Sequence, residues 1–223
     1  MVAPLRRLAI EHFGRIIPSG FDAIGTEESH GQVFGDAPPH PFALVALFRE
    51  CQVTYFLPWV FYLACKEGFE KLVTGVSHNG QAVHMSDEDR PIALLGWKKL
   101  FDDTLEIRRT TVKSRAPTCK WGECDSTLRM SWLWLALHAV KIGKSNSLEQ
   151  WAKFSVLACY DGPTTGQVRP LRKIAPCAVC SASWLVLEKQ EREKAWNNVP
   201  GYFKLPPWEV LQVEEGNMRH QNT

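Results

Sequence analysis

The sequence predicts an all-α fold of about seven helices in two sub-bundles, with no substantial β-sheet. Three observations predict it. Apolar residues recur at steps of three and four along most of the chain. Glycine, proline and Ser/Thr caps punctuate those runs where helices start and stop. No segment shows sustained two-residue alternation, and no internal repeat is present. With 223 residues, 45% of them hydrophobic and 22% charged, the chain is long enough to bury a core and ordinary in composition.

Leu5, Leu8, Ala9, Phe13 and Ile16 line one face of a first helix, which Pro18 and Gly20 end. Gly25–Pro41 is a loop rich in glycine and proline. Phe42–Cys51 is a second helix with Arg49 and Glu50 at its solvent-facing polar end. Pro58 suits the first turn of a third, Pro58–Lys71, because its missing N–H has no intrahelical partner there. Ser77–Gly80 is a turn. Ser86 and Asp89 resemble a capping box opening a helix to about Phe101. Acids in the first turn of that helix, Asp87, Glu88 and Asp89, complement its dipole and need no catalytic role.

Arg108–Lys120 carries Arg108, Arg109, Lys113, Arg115 and Lys120 and is a basic loop, with the boundary between sub-bundles near Arg108–Pro117. Ser126 caps a helix that Gly143 ends. Ser147 and Gln150 form a capping box for Leu148–Tyr160. Asp161–Ala175 is a second basic loop. The last long helix is Ala178–Trp196, with a charged middle that includes Glu188 and Arg192. Trp196, Phe203 and Trp208 are expected to fold back onto the bundle, because three large rings left in water forgo substantial burial energy. The tail from Glu214 is polar and expected to fray.

Charge and composition exclude several classes. A net charge of +2 is too weak to argue for nucleic acid or an anionic membrane, and neither basic loop interleaves aromatic stacking residues. The longest apolar stretches, Tyr55–Cys65 and Trp132–Val140, fall short of the roughly 20 residues that span a bilayer. The opening Met1–Arg7 lacks the pattern of a secretory signal. Seven unevenly spaced cysteines do not look like a disulfide framework, so a reducing cytosol or nucleus is the expected compartment. Phosphate-binding glycine loops, zincin motifs and the nucleophile elbow are missing, and no histidine stands at a family spacing to a cysteine. A non-enzymatic protein follows as the expectation.

Two cysteine pairs carry the chemistry. Cys119 and Cys124 (C-x4-C) precede Ser126–Gly143, and Cys177 and Cys180 (C-x2-C) open Ala178–Trp196. Short pairs of this kind are zinc hooks, and helix N-termini favour the thiolate that a metal needs. Fifty-two residues separate the pairs, so only tertiary structure brings them together. An up-down-up path of the three flanking helices does so. Three readings stay open: a structural zinc ion held by Cys119, Cys124, Cys177 and Cys180, ordinary buried thiols, or a redox pair at Cys177 and Cys180. Cys51, Cys65 and Cys159 fall on apolar faces and count as core.

Several segments resemble the C-terminal part of the fungal BTB/POZ-domain proteins. They are Leu5–Ile10 with Ile17-Pro18, Ala43–Cys65 around Phe56-Leu57-Pro58, and Ser86-Asp87-Glu88-Asp89-Arg90. The closing set is Cys177-x2-Cys180, Ala195-Trp196, Val199-Pro200, Phe203, Leu205-Pro206 and Trp208-Glu209. The resemblance implies a BTB-distal, BACK-like helical region at 1–107, a C-terminal bundle with the paired cysteines at 118–213, and a tail at 214–223. It implies an interaction or scaffold role with protein partners. The strand-and-helix core that would precede Leu5 is not in this sequence, so BTB dimerisation and cullin docking are not carried over. Two other functions remain as alternatives: a zinc-stabilised nucleic-acid module using Arg108, Arg109, Lys113 and Arg115, and a thiol redox protein.

Overall fold

A computed structural model describes residues 12–14, 20–24, 39–111, 116–120, 124, 157–158, 173–174 and 177–220. Helix dominates, as the periodicity predicts. In chain order the elements are a 3-10 turn at Phe21–Ala23, then α1 (Pro41–Glu50), α2 (Leu57–Lys66) and α3 (Phe69–Thr74). A short hairpin, β1 (Val76–His78) and β2 (Gln81–Val83), leads into α4 (Asp89–Thr111). A two-residue pair, β3 (Leu157–Ala158) and β4 (Lys173–Ile174), precedes α5 (Ala178–Tyr202) and α6 (Trp208–His220). The predicted helices at Leu5–Ile16, apart from residues 12–14, and at Ser126–Gly143 lie outside the described residues.

The core forms where helical stripes meet. Phe42, Val45 and Phe48 of α1 face α2, which is buried nearly all round. The long helices α4 and α5 pack along each other. One apolar cluster joins residues of 42–107 to Ala195, Trp196, Val199, Phe203, Trp208 and Leu211, so both segments share it. Gly96 admits the Phe203 ring, which then stacks on Phe61 at 4.9 Å; a Cβ on Gly96 would stand 2.1 Å from a ring carbon. Trp196, Phe203 and Trp208 are all buried, as expected of the closing aromatics.

Several boundaries differ from the sequence expectation. The third helix stops at Lys66 instead of Lys71, because Gly68 adopts φ 98°, outside helical space, and α3 starts afresh. Ser77–Gly80 is the tip of a hairpin: Asn79 and Gly80 both have positive φ, the signature of a type I′ turn. Strands of three residues are too short to show alternation. Helix α4 runs to Thr111, ten residues beyond Phe101, so Arg108 and Arg109 are helical and do not lie in a loop. Its buried stripe Ala93, Gly96, Leu100, Thr104, Ile107 and Thr111 continues along that whole length. The buried Thr104 hydroxyl donates to the Leu100 carbonyl at 2.8 Å.

Within the predicted Leu148–Tyr160 helix, Leu157 and Ala158 instead form a strand paired with Ile174 and Lys173 of the second basic loop. Phe154, Val156 and Tyr160 in the same segment, and Ile174 in the partner strand, are of the aromatic and β-branched types that favour strands. The final helices also extend beyond expectation. Pro200 sits inside α5, where it cannot donate to the Trp196 carbonyl four residues back. The Trp208 indole N–H donates to that carbonyl at 2.9 Å, and the two tryptophan rings stack at 4.5 Å. The orphan acceptor is satisfied, and α5 continues to Tyr202. Trp208 and Leu211 then anchor α6, which remains helical to His220 where a frayed tail was expected from Glu214.

Candidate metal centre

Two local structures present the sulfurs. Pro117 occupies the second position of a turn in which the Cys119 N–H donates to the Ala116 carbonyl at 2.9 Å, a position that suits proline's fixed φ. That turn sets Cys119 beside the start of α5. Cys177 is the N-cap of α5, with extended backbone, and its Sγ accepts the Cys180 N–H at 3.5 Å. The C-x2-C spacing is thus the N-cap-to-N3 spacing, with sulfur in the place where serine or aspartate usually accepts.

The structure brings together all four cysteines singled out in the sequence. The sulfurs of Cys119, Cys124, Cys177 and Cys180 lie within 4.8 Å of one another, a set able to hold a metal ion. Cys119 and Cys177 sulfurs are 3.7 Å apart. A tetrahedron with Zn–S bonds of about 2.3 Å has edges of about 3.8 Å, so that contact already has the required length. No disulfide joins the six cysteines of the described residues. Cys119, Cys124 and Cys180 are buried, and Cys177 is partly exposed. Trp184, one turn beyond Cys180, closes the inner side, and Ala116 completes the cluster. The Ala116 N–H donates to the Cys180 sulfur at 3.4 Å. Such N–H···S contacts orient a ligand and offset its charge.

The four thiols sit in unequal electrostatic surroundings. The Cys180 N–H, with the neighbouring sulfurs, holds Cys177 down to about 7. Burial pushes Cys180 up to about 12 and also raises Cys124. At neutral pH, therefore, Cys177 shares its proton with solvent while Cys124 and Cys180 keep theirs. A divalent cation reverses that preference, because it stabilises every thiolate that coordinates it.

The remaining candidates among the described residues are not members of this cluster. Arg109 pairs with Glu106 on α4, and burial lowers the pKa of Arg108 to about 10; Lys113 and Arg115 lie outside the described residues. Cys65 is fully buried with its thiol on the Ala93 carbonyl, Cys51 packs on the core, and Cys159 lies outside the described residues. Sequence reasoning missed the ion pair of Glu188 and Arg192, both buried on the same stripe of α5 as Cys180 and Trp184. Their four-residue spacing was the available signal; the charged neighbours masked it. Among the described residues no helix is long and apolar enough to cross a membrane. No protein-family model, curated protein or solved structure matches this chain.

Proposed function

We propose that this is a non-enzymatic interaction or scaffold protein whose last long helix is clasped to the Ala116–Cys124 segment by a structural zinc ion. The observation that carries this reading is the convergence of Cys119, Cys124, Cys177 and Cys180 within 4.8 Å. A four-sulfur set belongs to structural zinc, whereas catalytic zinc keeps a position for water. Burial of three of the sulfurs supports the same distinction. Sulfur-rich tetrahedra favour zinc over oxygen-seeking magnesium or calcium.

An interaction role draws on a second feature. Phe69 and Val73 are exposed on one face of α3, beside the rings of Trp97 and Phe101 on α4. Contiguous apolar surface of this kind favours protein partners. The order of the motifs that resemble those of BTB/POZ proteins points the same way.

Metal analysis of the purified chain is the direct test. One zinc per chain is expected, lost on substituting any of the four cysteines by serine. A protein that stays metal-free after refolding with zinc overturns the reading. Affinity should weaken as the pH falls, because Cys124 and Cys180 must surrender protons to bind.

A further inference from the structure

We infer that Cys177 is an oxidant-sensitive site, and that hydrogen peroxide exchanges the zinc clasp for a Cys119–Cys177 disulfide across the same two segments. The inference rests on the zinc reading for the metal it displaces, but its chemistry rests on the sulfur geometry. Cys177 is the partly exposed member of the four, at the mouth of the cluster, while Cys180 has no exposed surface and Cys124 almost none. Peroxide therefore meets the Cys177 sulfur first. The Cys119 sulfur waits 3.7 Å away, close to van der Waals contact. A bond of about 2.05 Å needs the two sulfurs, now 3.7 Å apart at a turn and a helix N-cap, to approach by less than 2 Å.

Cys180 is a poorer partner despite its nearness in sequence. It is fixed one turn into α5, its sulfur takes the Ala116 N–H, and Trp184 covers it. The Cys119–Cys177 link also preserves the join that the metal makes between Ala116–Cys124 and α5. Oxidation would thus release the ion without releasing the helix.

The chemistry balances with peroxide as the sole oxidant. The Cys177 thiolate attacks peroxide: an S–O bond forms, the O–O bond breaks, and the departing hydroxide takes a proton to leave as water. The Cys119 thiolate then attacks the Cys177 sulfur: the S–S bond forms, the S–O bond breaks, and a second water leaves. Two thiolates lose two electrons and peroxide gains them. Zinc, left with two of four ligands, passes to solvent.

The full chain, purified with its metal, is treated with hydrogen peroxide beside a chromophoric zinc chelator, and its disulfides are mapped without reduction. Trypsin cleaves after Lys120 and so separates Cys119 from Cys124; fragment spectra separate Cys177 from Cys180. The expected result is one zinc released for each Cys119–Cys177 cross-link, with both changes reversed by dithiothreitol. A sulfenic-acid trap should label Cys177 first. A cross-link at Cys177–Cys180 or Cys119–Cys124, first labelling at another cysteine, or zinc release without any disulfide overturns the inference. If the chain carries no zinc, the metal reading fails by itself, and the disulfide map of that same chain still decides whether Cys177 is the reactive site.

Discussion

At its C-terminal end, α5 buries Ala195, Trp196 and Val199 in a core shared with five other helices; at its N-terminal end, among the described residues, it buries Cys180 and Trp184 with Ala116, Cys119 and Cys124. The first end is held by area. Trp196 stacks on Trp208 and meets Trp59 edge-on, and each such ring removes about 150–250 Å² from water. The second end has a cluster of Ala116, Cys119, Cys124, Cys180 and Trp184, with Cys177 at its edge. The part of it formed by the described residues alone offsets little of the roughly 1–2 kcal/mol per residue that ordering the backbone costs. Among the described residues the two ends of one helix are therefore fastened differently, and the proposed metal would act where the described apolar area is small.

Metal removal should break this contrast most visibly. Structural zinc contributes apparent binding energies of about 10–16 kcal/mol in small modules, enough to decide whether an element folds. Chelation, or Cys124→Ala, should open the first turns of α5 around Cys180 and Trp184 while the turns around Trp196 and Val199 stay closed. Amide hydrogen exchange measures both on one sample. Equal loss of protection along the helix would mean that the two ends are a single cooperative unit.

Next in size is the reverse experiment. Trp196→Ala should cost about 3–5 kcal/mol in urea unfolding, the usual range for a large ring removed from a core. Zinc content should stay unchanged, since no ligand moves. Gly96→Ala attacks the same end by overpacking, because its methyl group would collide with Phe203; about 1–3 kcal/mol is expected. Zinc lost with either substitution would show that the sulfur end depends on the aromatic end.

Between the ends lie Glu188, 1% exposed, and Arg192, 8% exposed, 3.7 Å apart. Burial lowers the Arg192 pKa, with Glu188 pushing against it, and the guanidinium also lies over the Phe21 ring. Glu188→Ala removes the carboxylate 3.7 Å from the buried guanidinium and should cost about 3–5 kcal/mol. A Glu188→Leu, Arg192→Met double variant should return to near the original stability, since paired charges in a core are often replaceable by apolar residues of similar volume. A double variant as unstable as the single one would assign the pair a structural part beyond mutual neutralisation.

The sulfur end was legible because its signal is chemical: C-x4-C and C-x2-C each name a ligand pair, and helix periodicity put the second at a helix start. The turn that positions the first was also in view as Ala116-Pro117-Thr118-Cys119, yet a basic loop was read over it. The aromatic end was legible as burial but not as secondary structure. Pro200 argues for a stop, and only the Trp208 indole on the Trp196 carbonyl removes the argument. The same holds for α4, whose end at Arg108–Thr111 reads as the start of a basic loop until the stripe through Thr104, Ile107 and Thr111 is placed along the helix that packs on α5. Local sequence cannot supply a partner that arrives from the other half of the chain.

The smallest expected effect tests whether the main apolar core responds to acid, as the proposed metal centre should. His40 is the N-cap of α1, and its Nδ1 accepts the Phe42 N–H at 3.2 Å. The ring is nearly buried, edge-on to Phe42 and 5.5 Å from the His78 ring, with Glu67 and Lys71 also acting on it. Burial lowers its pKa below the ordinary 6.5; Glu67 opposes that shift, and His78 and Lys71 reinforce it. The fold therefore prefers the neutral ring. Its contribution to stability is complete above pH 6.5 and declines as the pH falls through and below that value, because the unfolded chain takes up the proton first. Protonation also removes the lone pair that caps the helix. His40→Asn keeps a capping acceptor and removes the titration. Urea midpoints measured at pH 7 and pH 5 should draw closer together in the variant than in the parent, and equal slopes in the two proteins would remove His40 from any account of acid sensitivity.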